Sequence, residues 1–263
     1  MNNSYTLKAR SAIRSLAFGI ALVTGLLTAS QSHAITLSGW TGTGSFGTSG
    51  ANGVVGLSPW GDPAYGWIST VGGPSNTGMG FGSETNGAEI LSPFFSASSG
   101  DLLKFYFNFV TSDGAGYADY AWARLVDTSM TTVALLFTAR TTPGGDTVPG
   151  FGMPTPGATL TPPSTPIIPG GPAWSPLGGS SGACYSTGCG YTGWIEATYA
   201  IAGSGTYALE FGVVNWADTA YDTGMAFDGA TIAGTVIGAP EPTSLILLGV
   251  GLLGMGLIRR RLS

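Results

Sequence analysis

The sequence predicts an all-β protein whose main domain is an antiparallel β-sandwich or jelly roll. Only 9% of the residues are charged, while 44 glycines and 16 prolines among 263 residues disfavour long helices. Aromatic residues make up 11% of the chain, which is enough for a core. Alternation of apolar and polar residues with period two predicts strands with one buried face. Six segments show it: residues 103–109, 119–126, 131–137, 194–199, 207–213 and 226–232.

The segment from Thr141 to Tyr191 breaks this pattern. Ten prolines fall between Pro143 and Pro176, mixed with Gly, Ser and Thr. Neither a strand ladder nor a helix tolerates that density, because proline lacks the backbone N–H that both require. We expect a long exposed loop or hairpin insertion with polyproline character, either disordered or functional, with disorder as the default.

Charge is distributed unevenly along the chain. Six of the nine basic residues lie before residue 15 or after residue 258. Residues 35–239 contain three Lys or Arg against thirteen Asp or Glu. Phosphate binding needs clustered basic side chains, so we expect no nucleic-acid partner.

The N-terminal segment has the three parts of a secretory signal. Residues 1–14 carry three positive charges and no acid, and an apolar stretch follows at 16–26. Small residues Ser32 and Ala34 occupy the −3 and −1 positions of a cleavage site. We predict a signal peptide at 1–34, cut after Ala34, that precedes an extracytoplasmic β domain at 35–239. An uncleaved membrane anchor is the alternative, although the apolar stretch is short for one.

Cleavage after Ala34 has a chemical consequence. The only histidine of the chain, His33, leaves with the signal. The mature protein then has no Ser-His-Asp or Cys-His catalysis and no imidazole zinc site. Hydrolysis by a pair of carboxyl groups remains possible in principle. Thirteen acids cannot be paired from sequence, and we expect no enzymatic activity.

The C-terminal segment contains three elements in order: Pro240-Glu241-Pro242, the apolar segment 245–258, and Arg259-Arg260-Arg261. Fourteen helical residues span roughly 21 Å, short of a hydrocarbon core of about 30 Å, and we expect 245–258 to form a short transmembrane helix that crosses a locally thinned bilayer. The arginines are expected to stay cytoplasmic under the positive-inside rule. That orientation places the β domain on the opposite side, where the signal peptide also directs it.

These three elements resemble the PEP-CTERM sorting signal of Gram-negative bacteria. The resemblance implies recognition of Pro240, Glu241 and Pro242 by exosortase, an integral membrane cysteine peptidase that cuts nearby. It also implies release or transfer to the outer surface, typically in species that make exopolysaccharide. A plain C-terminal anchor that is never processed is the alternative.

Cys184 and Cys189 are the only cysteines. An oxidising compartment favours a disulfide between them. Closing six residues contributes about 2 kcal/mol, enough to fix a loop end. The alternative is that the two cysteines bind zinc, but zinc needs four ligands and no histidine remains to supply the others.

Acidic residues near the end of the domain suggest a calcium site. Asp218, Asp222 and Asp228 fall in one stretch, in a region with a weak, local resemblance to the ending of other PEP-CTERM β-sandwich domains. Their oxygens suit Ca²⁺, and the loop from Thr111 to Asp119 is a second candidate. The alternative is that both are Asx turns that bond their own backbone.

Four aromatic residues in glycine-rich stretches are candidates for stacking on sugar rings: Trp40, Trp60, Tyr65 and Trp67. We expect at least half of them to belong to the core instead. The function predicted from these features is that of an exported structural protein of the cell surface or extracellular matrix. The alternative is an exopolysaccharide-binding β-sandwich module, with Ca²⁺ as a possible structural ion.

Overall fold

The structure, a computed structural model, describes residues 37–238, which form β-strands with one short 3₁₀ segment at Ser175–Ser180. The strands in chain order are β1 Thr41–Thr43, β2 Ser45–Ser49, β3 Tyr65–Ser69, β4 Glu84–Leu91, β5 Phe95–Ala97, β6 Leu102–Thr111, β7 Tyr120–Asp127, β8 Thr132–Arg140, β9 Asp146–Val148, β10 Thr159–Thr161, β11 Thr165–Pro166, β12 Ile168–Pro169, β13 Gly190–Tyr191, β14 Ile195–Ala200, β15 Gly205–Trp216, β16 Thr223–Ile232 and β17 Thr235–Val236.

Two antiparallel sheets make up the sandwich. The first has the order β1-β4-β15-β7-β8, with β5 also paired to β15. The second has the order β10-β14-β6-β16-β3-β2, with β12, β13 and β17 attached to it. A separate two-stranded ladder joins β9 and β11. Because β6 and β7 are consecutive but lie in different sheets, the segment between them crosses one end of the sandwich.

The all-β class and all six strands predicted from alternation are confirmed. They correspond to β6, β7, β8, β14, β15 and β16, with ends that differ by a few residues. Strands β1 to β5 were not predicted, because glycine interrupts the alternation between residues 41 and 97. Pairing with a neighbouring strand, not local pattern, makes these segments extended.

Aromatic side chains interlock between the two sheets. Phe107 of β6 and Phe137 of β8 stack with ring centroids 3.7 Å apart and planes inclined by 6°. Phe105 of β6 meets Phe211 of β15 edge to face at 5.2 Å. Phe227 of β16 stacks on Phe211 at 4.5 Å. Each contact joins the second sheet to the first, so these rings hold the sandwich together.

The proline-rich segment differs from the prediction of an exposed, disordered loop. It contains β9 to β12 and the 3₁₀ segment, and its hairpin character is real, since β9 pairs with β11. Trp174 and Leu177 are fully buried, and they pack with Val55, Tyr65 and Val110 on the outer face of the second sheet. Apolar burial therefore fixes a segment whose prolines allow only short ladders.

Several predicted features lie outside the described residues. They are the signal peptide with its cleavage site at Ala34, the Pro240-Glu241-Pro242 motif, the helix at 245–258 and the arginines at 259–261. Between residues 37 and 238, no helix has the length and apolarity that a membrane crossing needs.

Replacement of Phe107 tests the aromatic interlock. Phe107→Ala should lower the free energy of unfolding by about 3–5 kcal/mol, because it removes the ring stacked on Phe137 and leaves a cavity. Phe94→Ala is the matched control: this ring is 47% exposed, and its loss should change stability by no more than about 0.5 kcal/mol. Urea denaturation measures both, and equal effects would contradict the assignment of the core.

Candidate functional site

Seven polar side chains face inward at one end of the sandwich. Each lies two positions from a core residue, as Thr111 does from Phe109 and Asp119 does from Ala121. The alternation that buries the core therefore carries these polar groups inward as well. All seven are buried, and we call them the polar end layer: Thr70, Asn86, Thr111, Asp119, Thr141, Asn215 and Thr223.

A chain of hydroxyl groups in the polar end layer ends on a carboxylate. Thr141 donates to the hydroxyl oxygen of Thr111 at 3.2 Å, and the hydroxyls of Thr111 and Thr223 lie 2.7 Å apart. Thr223 in turn donates to Oδ2 of Asp119 at 2.5 Å. Oδ1 of the same carboxyl accepts the backbone N–H of Trp216 at 2.8 Å. Asp119 is therefore bonded to both β15 and β16.

The two asparagines of the layer bond to each other. The Nδ2 group of Asn215 donates to Oδ1 of Asn86 at 3.2 Å, and Nδ2 of Asn86 donates to the carbonyl of Thr70 at 2.8 Å. The Oδ1 atom of Asn215 is buried and has no hydrogen-bond partner. An unsatisfied buried acceptor costs stability, so this atom requires an explanation.

Asp113 adjoins the layer, and it too has a buried oxygen atom without a hydrogen-bond partner. Its Oδ1 accepts the N–H of Gly114 at 2.7 Å and its own N–H donates to Thr111 at 3.1 Å, while Oδ2 is buried without a partner. Burial, together with the charge of Asp218, raises the pKa of Asp113 to about 7. Burial also raises the pKa of Asp119 well above its usual value, with added repulsion from Asp113 and Asp218.

A disulfide loop lies against the segment that carries Asp113. Cys184 and Cys189 are joined by a disulfide with Cα atoms 5.5 Å apart. The N–H of Tyr185 donates to the carbonyl of Ser112 at 2.9 Å, and Ala115 donates to Thr187 at 2.8 Å. A Cβ atom on Gly114 would come within 2.5 Å of a backbone carbonyl of this loop, so only glycine fits there.

Three tyrosine rings pack together where these loops meet. Tyr117 and Tyr185 lie edge to face with centroids 5.3 Å apart, and Tyr185 and Tyr221 follow at 5.2 Å. Tyr185 is 48% exposed and Tyr221 is 37% exposed. We call these three residues the tyrosine cluster. It is an exposed aromatic surface built from three separate loops.

The structure does not bring the predicted calcium ligands together. Asp218 accepts the N–H of Ala220 at 3.0 Å, which is the Asx-turn alternative. Asp222 accepts the hydroxyls of Thr70 at 3.1 Å and Ser180 at 2.9 Å. Asp228 lies six residues further along β16, about 20 Å away at the usual rise of a strand. Strand β16 separates Asp222 from Asp228, and Asp218, Asp222 and Asp228 do not form one site among the described residues.

The second candidate loop, from Thr111 to Asp119, is where acidic groups do come together. Burial raises the pKa of Asp119 well above its usual value, the charge of Asp113 raises it further, and Asp218 raises the pKa of both carboxyls. Among residues 37–238, no three His, Cys, Asp or Glu side chains form a ready metal-binding group. A cation held here would therefore need amide, hydroxyl or backbone oxygens in addition to carboxylates.

The four predicted sugar-stacking aromatics are not exposed. Trp40 packs on Phe211 and Phe227 in the core, and Tyr65 accepts a hydrogen bond from the indole N–H of Trp174 at 3.0 Å. The expectation that at least half belong to the core is confirmed. Trp60 and Trp67 are half-buried, and both pack against glycines. The exposed aromatic surface lies at the tyrosine cluster instead.

Two glutamates lie near each other on the outer face of the first sheet. Glu89 and Glu210 line a shallow groove of about 340 Å³. Burial and the charge of Glu210 raise the pKa of Glu89. However, Arg124 binds Glu210 in bidentate fashion, with Nε to Oε1 at 2.6 Å and Nη2 to Oε2 at 3.1 Å. Glu210 is therefore engaged in an ion pair and is not free to act as a nucleophile or base.

Sequence reasoning missed Asn215 and the tyrosine cluster. A signal for Asn215 was present, because it continues the alternation of β15 two positions beyond Val213. No local signal points to Tyr117, Tyr185 and Tyr221, which lie in three loops without periodicity. Only the packing of those loops places the rings together.

Comparison with known proteins shows that this all-β domain precedes a sorting signal. Residues 239–261 match the PEP-CTERM protein-sorting motif, which confirms the resemblance seen in the sequence. The motif implies an exported sorting precursor that exosortase processes. No curated protein matches the chain in sequence.

Several solved structures share limited similarity with the chain. The K1 cleaved adhesin domain of Lys-gingipain from Porphyromonas gingivalis W83 has 11% identity and a TM-score of 0.35, with 76% of this chain and 93% of that domain covered. The K3 domain of the same protein has 12% identity and a TM-score of 0.32, with 71% of this chain and 90% of that domain covered. The enzymatically active domain of tailspike protein 4 from bacteriophage CBA120 has 11% identity and a TM-score of 0.34, with 77% of this chain covered. The match spans 20% of that tailspike chain.

The pH dependence of stability tests the burial of Asp228. Its carboxyl accepts hydrogen bonds from Ser58 and from Gly229, and burial raises its pKa from 3.8 to about 6. The raised pKa stabilises the folded protein most below about pH 4, and this stabilisation is lost as the pH rises through about 6. A difference of this size corresponds to at most about 3 kcal/mol.

Asp228→Asn should therefore reduce the fall in melting temperature between about pH 4 and pH 7. Asp146→Asn, at an exposed position of β9, serves as the control and should keep the wild-type pH profile. Thermal unfolding followed by circular dichroism measures both variants. An unchanged profile in Asp228→Asn would show that the carboxyl titrates normally.

Proposed function

We propose that this protein is an exported, exosortase-sorted structural protein of the cell surface or extracellular matrix, without enzymatic activity. The observation that carries the proposal is the PEP-CTERM motif at residues 239–261, which begins directly after the β domain. Strand β17 ends at Val236, so no linker of any length separates the domain from the sorting signal. The domain is thus the part that sorting delivers.

Two further features support a location of the domain outside the cytoplasm. The disulfide between Cys184 and Cys189 is typical of oxidising compartments. The signal peptide predicted at 1–34 and the arginines at 259–261 both direct the residues between them across the inner membrane. In this proposal the helix at 245–258 holds the precursor in the membrane until exosortase cuts near Pro240.

Intact-mass analysis of the secreted protein tests the sorting. In a host with exosortase, the mature form should lack residues 1–34 and end near Pro240. Replacing Pro240, Glu241 and Pro242 by alanine should leave the arginine tail attached, because the peptidase loses its recognition motif. Pro63→Ala, at an exposed proline within the domain, is the control and should be processed normally.

Three outcomes would contradict this proposal. Retention of Arg259, Arg260 and Arg261 in the wild-type protein would show that no processing occurs. Protease treatment of whole cells that spares the β domain, when lysis exposes it, would show that the domain is not displayed. Turnover of a polysaccharide by the purified protein, lost on replacement of one carboxyl side chain, would contradict the absence of enzymatic activity.

A second candidate function is binding of exopolysaccharide, and the tyrosine cluster favours it. Exposed aromatic rings beside polar loops present apolar faces on which sugar rings can stack, and contiguous exposed apolar surface often marks a binding site. Tyr185 is fixed within the disulfide loop, so the surface is held in shape before binding. Pre-organisation of this kind lowers the entropy cost of association.

Affinity electrophoresis with purified exopolysaccharide tests this second function. Tyr185→Ala should weaken binding by about 5- to 30-fold, the loss expected for a central aromatic anchor. Phe151→Ala is the matched control, because this ring is 71% exposed and lies outside the tyrosine cluster. No retardation of the wild-type protein, or equal losses in both variants, would leave only the structural role.

A further inference from the structure

The polar end layer and its neighbour Asp113 contain two buried oxygen atoms that accept no hydrogen bond. They are Oδ2 of Asp113 and Oδ1 of Asn215, in residues that are 1% and 0% exposed. Each such atom loses its hydration on folding and gains nothing in return, which costs about 1–3 kcal/mol for a neutral group and more for a charged one. Two at one end of one domain indicate that something else binds them.

Strand register places Asn215 beside Asp119. Val214 of β15 pairs with Tyr120 of β7, so the next inward position of β15 lies opposite Asp119. Side chains opposite each other on neighbouring strands have Cβ atoms about 5 Å apart. The N–H of Trp216, which follows Asn215, donates to Asp119 at 2.8 Å, so the two strands are held together at this point. The unpartnered amide oxygen therefore lies next to a buried carboxyl.

Asp113 is tied to the same place by the threonine chain. Its backbone N–H donates to Thr111 at 3.1 Å, Thr111 bonds Thr223 at 2.7 Å, and Thr223 donates to Asp119 at 2.5 Å. Asp113 and Asp119 thus lie at the two ends of one short hydrogen-bonded path.

No basic side chain among residues 37–238 hydrogen-bonds to these carboxyls. The guanidinium of Arg140 interacts electrostatically with Asp119, but it donates its hydrogen bonds to the carbonyls of Ala118 at 3.0 Å and Phe151 at 3.3 Å and stacks on Trp216. Buried carboxylates without a paired cation are costly, since they lose hydration without compensation. The site therefore combines two buried carboxyl groups that form no direct ion pair with unpartnered oxygen atoms on Asp113 and Asn215.

We propose that Asp113, Asp119 and Asn215 bind a calcium ion. Ca²⁺ accepts six to eight oxygen ligands in flexible geometry, including carboxylates, asparagine oxygens, backbone carbonyls and water. The site offers oxygen donors only, which excludes a zinc-type set of sulfur and nitrogen ligands. A bound ion would satisfy both unpartnered oxygens and connect the loop at 112–119 to the end of β15. That loop carries Tyr117 and supports the disulfide loop.

Calcium titration of the purified protein, after treatment with EDTA and dialysis, tests the proposal. Isothermal titration calorimetry with CaCl₂ should show one ion per chain. At a calcium concentration a hundredfold above the dissociation constant, the melting temperature should rise by about 5–10 °C. MgCl₂ should have a smaller effect, because Mg²⁺ dehydrates reluctantly and demands octahedral geometry.

Asp113→Asn localises the site. The asparagine oxygen retains the acceptor for the N–H of Gly114 but removes the charge, so the variant should fold, bind calcium at least tenfold more weakly and lose the thermal shift. Asp146→Asn on β9 is the matched control and should bind as the wild type does. If Asp113→Asn does not fold, terbium luminescence that CaCl₂ displaces is compared between the wild-type protein and Trp216→Phe. Loss of the signal in that variant places the ion beside Trp216, whereas an unchanged signal places it elsewhere.

Two results would overturn the proposal. One is the absence of both binding heat and thermal shift in the wild-type protein at millimolar CaCl₂, the range in which extracellular calcium modules bind. The other is calcium binding that Asp113→Asn leaves unchanged, which would place the ion elsewhere. Neither result bears on sorting by exosortase, which depends on residues 239–261.

Discussion

Stacking of Phe107 on Phe137 joins the two sheets, and the rest of the domain is arranged around this aromatic contact. Phe105 and Phe211 extend it along the sandwich, and Trp40 closes it against Phe211 and Phe227. Because the rings occupy alternate positions in their strands, the register of every neighbouring strand is fixed: a slip of one residue would turn a buried ring to solvent. The interlock thereby also fixes what lies at the end of each strand.

The polar end layer follows from that register. Alternation does not stop where the apolar residues end, so Thr111, Asp119 and Asn215 are carried into the interior as firmly as Phe109 is. A buried polar network stabilises a fold only when its members find partners, and here two oxygen atoms have none. This incomplete satisfaction distinguishes the layer from an ordinary polar cap. It makes the end of the sandwich next to the tyrosine cluster the place of the proposed ion site.

The proline-rich segment shows how burial overrides local preference. Its composition predicts disorder, and its strands are indeed only two or three residues long. Trp174 and Leu177 nevertheless bury themselves on the outer face of the second sheet, where Trp174 donates a hydrogen bond to Tyr65. A few large apolar side chains supply enough buried area to fix a segment that lacks regular ladders. The disulfide then fixes the next loop along the chain.

The sequence by itself determined the six long strands, the face that each buries and the sorting motif at 239–261, because alternation and short motifs are local properties. It also pointed to the loop from Thr111 to Asp119 as a candidate for acidic chemistry. Only the tertiary structure decided that Asp119 meets Thr223, 104 positions away, and that Asp228 lies far from Asp218. Pairing between distant strands determines which loops share one end of a sandwich, and no local pattern encodes that choice. The tyrosine cluster and the site around Asn215 therefore emerged only from the packing of the folded chain.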